Sequence, residues 1–269
     1  MDNVHNNIAN IFGKSFDVIK PHLQTALASA ADPERSLVYL ERLLESTDES
    51  LLPALVKNPR VIESLVTIFS GSQFLTEIIL RDPSHVNLLH HRNLLTQRKN
   101  TATIHTEASK IINETSVDQK LDALRRYQRG EILRIGASDL LSLYDLRTVT
   151  RQLSKLASGL VRACLDLASQ QSGISADDFV VIAMGKHGAE ELNYSSDIDL
   201  LFFHRVMRGD KQQVNIRTVV EFLRAVLAHG QDDKIVCTDS ALLTGKIEAG
   251  THESTGKFGE LPRDGSQII

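Results

Sequence analysis

From about residue 15 to residue 172 the apolar side chains recur at helical spacing, and beyond residue 173 they gather into short runs of strand length. That one change of period predicts an α+β fold, an all-α region first and a mixed α/β region after it. The breaks in the first part read as helix punctuation. Asp32-Pro33 and Asp82-Pro83 each place a capping acid before a proline at the first helical position, where the missing N–H costs nothing. Leu37, Leu40, Leu43 and Leu44 then come after the first pair as an inward-facing stripe. Asn58-Pro59 opens the segment VIESLVTIF, and Gly71-Ser72 closes it. The polar stretch 90–107 is the weakest region for a helix and is expected to contain a loop. In the segment 121–146, Arg125, Arg126, Arg129 and Arg134 share a helix whose apolar side includes Leu121, Leu124, Ile132, Leu133 and Ile135. Its arginines read either as a solvated face or, through Arg125 and Arg129 at i,i+4, as a paired grip on a phosphate or an acid.

Past Gly173 the pattern becomes strand, turn, strand, helix, strand: FVVIAMG, then DIDLLFF, then VVEFLRAVLAHG ending at Gly230, then KIVCTD. Residues 1–172 are therefore expected as a helical region, 173–243 as a second domain, and 244–269 as a tail without clear periodicity. With 269 residues, 42% of them hydrophobic, the chain can bury a sizeable core. Its formal charge of -4 excludes the broad basic footprint of a general nucleic-acid binder. No apolar run reaches the roughly 18 residues of a membrane-spanning helix. The opening residues lack the pattern of a secretory signal, and the two cysteines fit a reducing, cytoplasmic setting.

The second strand raises a chemical question. Asp197 and Asp199 are one residue apart, so a strand projects both to the face opposite Ile198 and Leu200. Carboxylates held that close repel unless a cation neutralises them, one is protonated, or water reaches them. Gly185, Lys186 and Gly188 precede them, and such glycines let backbone N–H groups approach a phosphate while a lysine adds charge. Hard cations such as Mg²⁺ are commonly held by one or two carboxylates plus substrate phosphates. Two readings stay open on these residues alone: a strand end at the surface, or a metal-dependent phosphoryl or nucleotidyl transfer centre.

The stretch GKHGAEELNYSSDIDLLFF closely resembles the glutamine-synthetase adenylyltransferase family, whose pattern runs near GKLGGRELNYSSDIDLIF. It agrees at Gly185, Lys186, Gly188, from Glu191 through Ser196, and at Asp197, Ile198 and Asp199, and departs at His187, Ala189 and Glu190. FLTEIILRDP and LRRYQRGEILRIGASDLLSLYDL also resemble the helical region ahead of the family's first catalytic half. The resemblance implies a nucleotidyltransferase-like, polymerase-β-type domain and phosphorolytic removal of AMP from adenylyl-tyrosine of glutamine synthetase, with Mg²⁺ on Asp197 and Asp199. It further implies that Gly185, Lys186 and Gly188 border the nucleotide phosphates. Ser195 and Ser196 either contact a phosphate and support the metal ligands or are plain turn residues. The family's third carboxylate maps onto Asp239, although Ser240, Ala241 and Leu243 stand where its arginines come next. Implied partners are glutamine synthetase, a PII-type signalling protein, ATP or ADP, and phosphate, with no nucleic acid and no membrane. The chain is expected to stop short of the family's first half. Two alternatives stand beside deadenylylation: a catalytically impaired piece that binds glutamine synthetase or PII, and adenylyl transfer from ATP to a protein tyrosine.

Overall fold

A computed structural model of the chain describes residues 2–47, 51–112, 116–173, 175–204, 237–242 and 267–268. Its first helices are α1 (Asp2–Phe12), α2 (Phe16–Ser29), α3 (Pro33–Ser46), α4 (Leu51–Lys57), α5 (Arg60–Gly71) and α6 (Gln73–Arg81). Then come α7 (Arg92–Leu95), α8 (Thr101–Ile111), α9 (Val117–Leu140) and α10 (Leu146–Ser172). The strands β1 (Phe179–Met184) and β2 (Ile198–His204) flank the short α11 (Gly185–Gly188), and β3 (Cys237–Leu242) and β4 (Gln267–Ile268) complete the sheet. The helix expected at 219–230 lies outside the described residues.

The capping acids behave as their positions predict, with one difference in outcome. Asp32 accepts a hydrogen bond from the Arg35 N–H at 3.0 Å and starts α3. Asp82 accepts from the Ser84 N–H at 3.2 Å, one residue closer, and the segment it opens is a 3₁₀ helix over Pro83–His90 rather than an α-helix. Its buried residues, Val86 and Leu89, are three apart, which suits three residues per turn. Asn100 accepts from Thr103 N–H at 2.8 Å to begin α8, so within 90–107 the loop occupies the residues between α7 and Asn100. None of the described helices is long and apolar enough to cross a membrane.

The chain forms two compact units, 1–98 with 129–149 and 99–128 with 150–269; α9 and α10 each contribute to both. In the second unit the strand order is β3-β2-β1-β4. β1 runs antiparallel to β2, with Val181 opposite Phe202, Ala183 opposite Leu200 and Met184 opposite Asp199. β4 is antiparallel to β1, and β3 is parallel to β2. Val181, Ala183, Ile198, Leu200 and Phe202 are all buried, which makes one face of the sheet a core face. Small size lets α10 approach α8: a Cβ on Gly159 would stand 2.4 Å from Ile104 Cγ2. Cys164 on α10 is a free thiol, and burial pushes its pKa up to about 12, so it packs as an apolar residue.

In the first unit, Leu37, Leu40, Leu43 and Leu44 of α3 enter one core with Val61, Ile62, Leu65 and Phe69 of α5 and Leu133 and Ala137 of α9. The arginine face expected on α9 needs correction at one position. Residues 133–138 are buried on every side, so Arg134 has no open face to occupy and is 1% exposed. Its Nε donates to Glu131 Oε2 at 2.9 Å, and its Nη1 donates to the Gln97 carbonyl at 2.6 Å and to Tyr144 Oη at 3.1 Å. Tyr144 O–H donates to the same Gln97 carbonyl at 2.7 Å. This network ties the end of α9 to the segment after α7. Removing one member of a buried pair leaves the other charged and unpaired, so Arg134→Ala is expected to lower unfolding free energy by about 3–5 kcal/mol. The joint replacement Arg134→Met with Glu131→Leu should cost clearly less. Urea unfolding of both variants against the parent measures the difference.

Candidate functional site

β2 sets out the acids by its own pleat. Ile198 and Leu200 turn into the core and are 1% and 0% exposed, so Asp199 between them lies on the other face, half-buried. Asp197 comes just before the strand and is exposed. Opposite Asp199 is Met184, the last residue of β1, and the chain then turns at Gly185 with φ +55°. A Cβ at 185 would stand 3.0 Å from Asp199 Oδ2. The left-handed backbone favours glycine there, and a side chain would in addition push the Asp199 carboxylate aside by a few tenths of an ångström. Lys186 is exposed beside this turn, and Gly188 is buried.

The Asn193–Ser196 turn delivers Asp197. Asn193 Oδ1 accepts from Ser195 N–H at 3.0 Å, from Ser195 Oγ–H at 3.3 Å and from Ser196 Oγ–H at 2.9 Å. Ser196 Oγ in turn accepts from Asn193 N–H at 3.0 Å. Both serine hydroxyls are therefore engaged in shaping the turn that precedes the acids. Asp239 arrives by register. β2 and β3 pair Ile198 with Cys237 and Leu200 with Ser240, so two residues of β3, Thr238 and Asp239, face the single residue Asp199. Such a bulge brings the backbone of Asp239 alongside Asp199. Among the described residues no three His, Cys, Asp or Glu side chains come together as a metal cluster.

A stripe on α10 that no motif marks holds the loop between β1 and β2. Arg151, Ser154 and Ser158 stand at i, i+3 and i+7, which is one helix face. Arg151 Nε lies 3.6 Å from Glu190 Oε2, Ser154 Oγ accepts from Leu192 N–H at 3.2 Å, and Ser158 Oγ hydrogen-bonds His187 Nε2 at 3.0 Å. Two serines four apart inside an otherwise apolar helical stripe are the signal in the sequence for this face. His187, where the family pattern has leucine, is thereby a packing residue, 1% exposed. Burial lowers its pKa from 6.5 to about 4, and the Ser154 carbonyl offsets only part of that. Its Nδ1 has no partner at hydrogen-bond geometry among the described residues.

Chemically, the open face offers two hard oxygen donors beside a glycine turn with an exposed lysine. The donor set suits Mg²⁺, and the bare backbone at Gly185 leaves the Asp199 carboxylate uncrowded on that side. Two stability measurements test this geometry. Gly185→Ala is expected to cost about 1–2 kcal/mol from its positive φ alone, read as a lower urea midpoint. For His187, the folded pKa lies below the unfolded one, so the unfolded chain binds the extra proton. Its contribution is complete above pH 6.5 and is lost as pH falls through 6.5 toward about 4, by about 2–3 kcal/mol. His187→Leu should flatten that part of the stability profile, tracked by urea unfolding at pH 7.5, 5.5 and 4.5.

The same segment is shared with known proteins. A family profile described as "Glutamate-ammonia ligase adenylyltransferase" matches residues 62–225, which takes in both the helices from α5 onward and the β1–β2 site. The bifunctional glutamine synthetase adenylyltransferase/adenylyl-removing enzyme of Chromobacterium violaceum is 26% identical over 202 residues, covering 71% of this chain and 22% of that protein. Its counterpart in Pasteurella multocida is 30% identical over 187 residues, covering 63% of this chain and 19% of that protein. That in Leifsonia xyli is 26% identical over 218 residues, covering 80% of this chain and 21% of that protein. The chain spans about a fifth of the length of these curated relatives. With more than half of its 269 residues inside the matched profile, acids and glycine turn included, this chain belongs to the glutamate-ammonia ligase adenylyltransferase family.

Proposed function

We propose that the chain carries an adenylyl-transfer centre acting on glutamine synthetase, and that its reaction is phosphorolytic removal of AMP from an adenylylated tyrosine. The observation that carries this reading is Asp199 on the outward face of β2 with the exposed Asp197 just ahead of the strand, beside the Gly185 turn, within a family whose curated relatives are named for adding and removing this group. The domain formed by β1, β2 and β3 would then be nucleotidyltransferase-like, with α8 and most of α10 in the same unit as the sheet.

In this reaction a phosphate oxygen forms a bond to the α-phosphorus of adenylyl-tyrosine as the bond to the tyrosine oxygen breaks. ADP leaves, and the phenolic oxygen takes up a proton. Mg²⁺ held by Asp197 and Asp199 would neutralise charge on the phosphoryl oxygens. The remaining work falls to the chain itself. Lys186 supplies a positive charge at the mouth of the turn, and the Asn193–Ser196 turn fixes where Asp197 begins. Asp239, whose backbone the β2–β3 register sets beside Asp199, would be the third acid.

The test is incubation of the full chain with adenylylated glutamine synthetase, inorganic phosphate and Mg²⁺. ADP release is expected, and Asp197→Asn should reduce it by at least about a hundredfold. Absence of ADP, or parent-like turnover by Asp197→Asn, would overturn the reading. Transfer of AMP from ATP onto unmodified glutamine synthetase would instead assign the opposite direction.

A further inference from the structure

Within the unit made of residues 1–98 and 129–149, α2, α5 and the segment around α7 enclose a cleft of about 740 Å³. Its volume falls in the range of small-molecule sites, and its charged lining is uneven. Among the described lining residues Glu63 is the acid, and it is already engaged: His22 Nδ1 lies 2.5 Å from its Oε1. Arg60 and Arg92 also line the cleft, and neither makes an ion pair with a described residue. His90 brings the third cationic or donor group. Its Nε2 is shut off from solvent and meets no hydrogen-bond partner among the described residues. Burial, and then the neighbouring His91, hold the His90 pKa below its usual value. The hydroxyl of Ser64 adds a further polar group to the same wall.

We propose that this cleft binds a small molecule through an anionic oxygen group, phosphate or carboxylate, gripped by Arg60 and Arg92 beside the wall that His90 forms. Guanidinium groups match both anions in shape, and two of them without acidic partners among the described residues give the cleft a positive charge that an incoming anion balances. The site is separate from the acid-bearing strand and does not rest on the proposed deadenylylation.

The experiment is a titration of the ¹⁵N-labelled full chain with inorganic phosphate and, in a second series, with succinate. The side-chain resonances of His90, Arg60 and Arg92 are monitored by NMR. Saturable shifts of all three with either anion are expected, and the tighter anion identifies the recognised group. The double variant Arg60→Gln, Arg92→Gln should weaken binding by at least about tenfold. Both side chains are exposed, so its thermal midpoint should match the parent's. Lys186→Gln, on the other candidate phosphate site, should leave the His90 shifts unchanged. His90 resonances that stay fixed with both anions, or that move equally in the double variant, would overturn the proposal. Shifts abolished by Lys186→Gln would overturn it as well, by placing the binding at the strand site.

Discussion

Burial of every second residue of β2 is the constraint on which the candidate site depends. Ile198, Leu200 and Phe202 are bound to the core side because they are apolar and the sheet covers them. The pleat leaves no choice for Asp199, which must face the other way. A one-residue slip of β2 would drive that carboxylate into the core and three large apolar groups into water, so hydrophobic burial and acid placement enforce the same register. The pairing of Met184 with Asp199 then fixes where β1 ends and where the Gly185 turn begins.

Holding that turn requires a second element, and α10 supplies it from a face of three residues. Ser154 and Ser158 are nearly buried, and each gives its hydroxyl to the loop rather than to solvent. A helix that contributed only leucines there would pack the sheet but leave the Leu192 N–H and the His187 ring unanswered. On this face of α10, Arg151, Ser154 and Ser158 each meet a polar group of the loop, at Glu190, Leu192 and His187, while apolar residues of the helix serve the core. The same division of labour occurs in the other unit, where Arg134 sits among apolar neighbours yet finds Glu131, Tyr144 and the Gln97 carbonyl.

Much of this is legible in the chain, for reasons that are local. Asp32 before Pro33 announces a helix because capping and proline geometry act within four residues. The alternation in DIDLLFF announces the acid face because strand geometry has period two. The features that stay hidden depend on partners distant in sequence. Arg134 looks like its neighbours Arg125 and Arg129 until the fold wraps it with Gln97 and Tyr144. His187 is visible in the sequence only as a departure from the family pattern until Ser158, 29 residues earlier, claims it. Asp82 is an intermediate case: its cap is visible, but the 3₁₀ winding after it is set by the three-residue spacing of Val86 and Leu89, a weaker signal than an α-helical stripe. Asp239 is picked out by the family pattern alone, and the extra residue of β3 opposite Asp199 shows how a strand with a different continuation still brings its backbone alongside that acid.

The placement of Asp199 beside Gly185 has an entropic consequence. The carboxylate takes up space that a side chain at 185 would need, and its own Cβ is fixed on the strand by the burial of Ile198 and Leu200 on either side. Part of Asp199's conformational freedom is therefore surrendered on folding rather than on binding. A ligand arriving at this face meets an oxygen donor already restricted in direction, and so loses less affinity to ordering it. Asp197, one residue ahead of the strand, takes its position from the Asn193–Ser196 turn instead. The two neighbouring acids are thus unequal, one aimed by the sheet, the other by a turn at the surface.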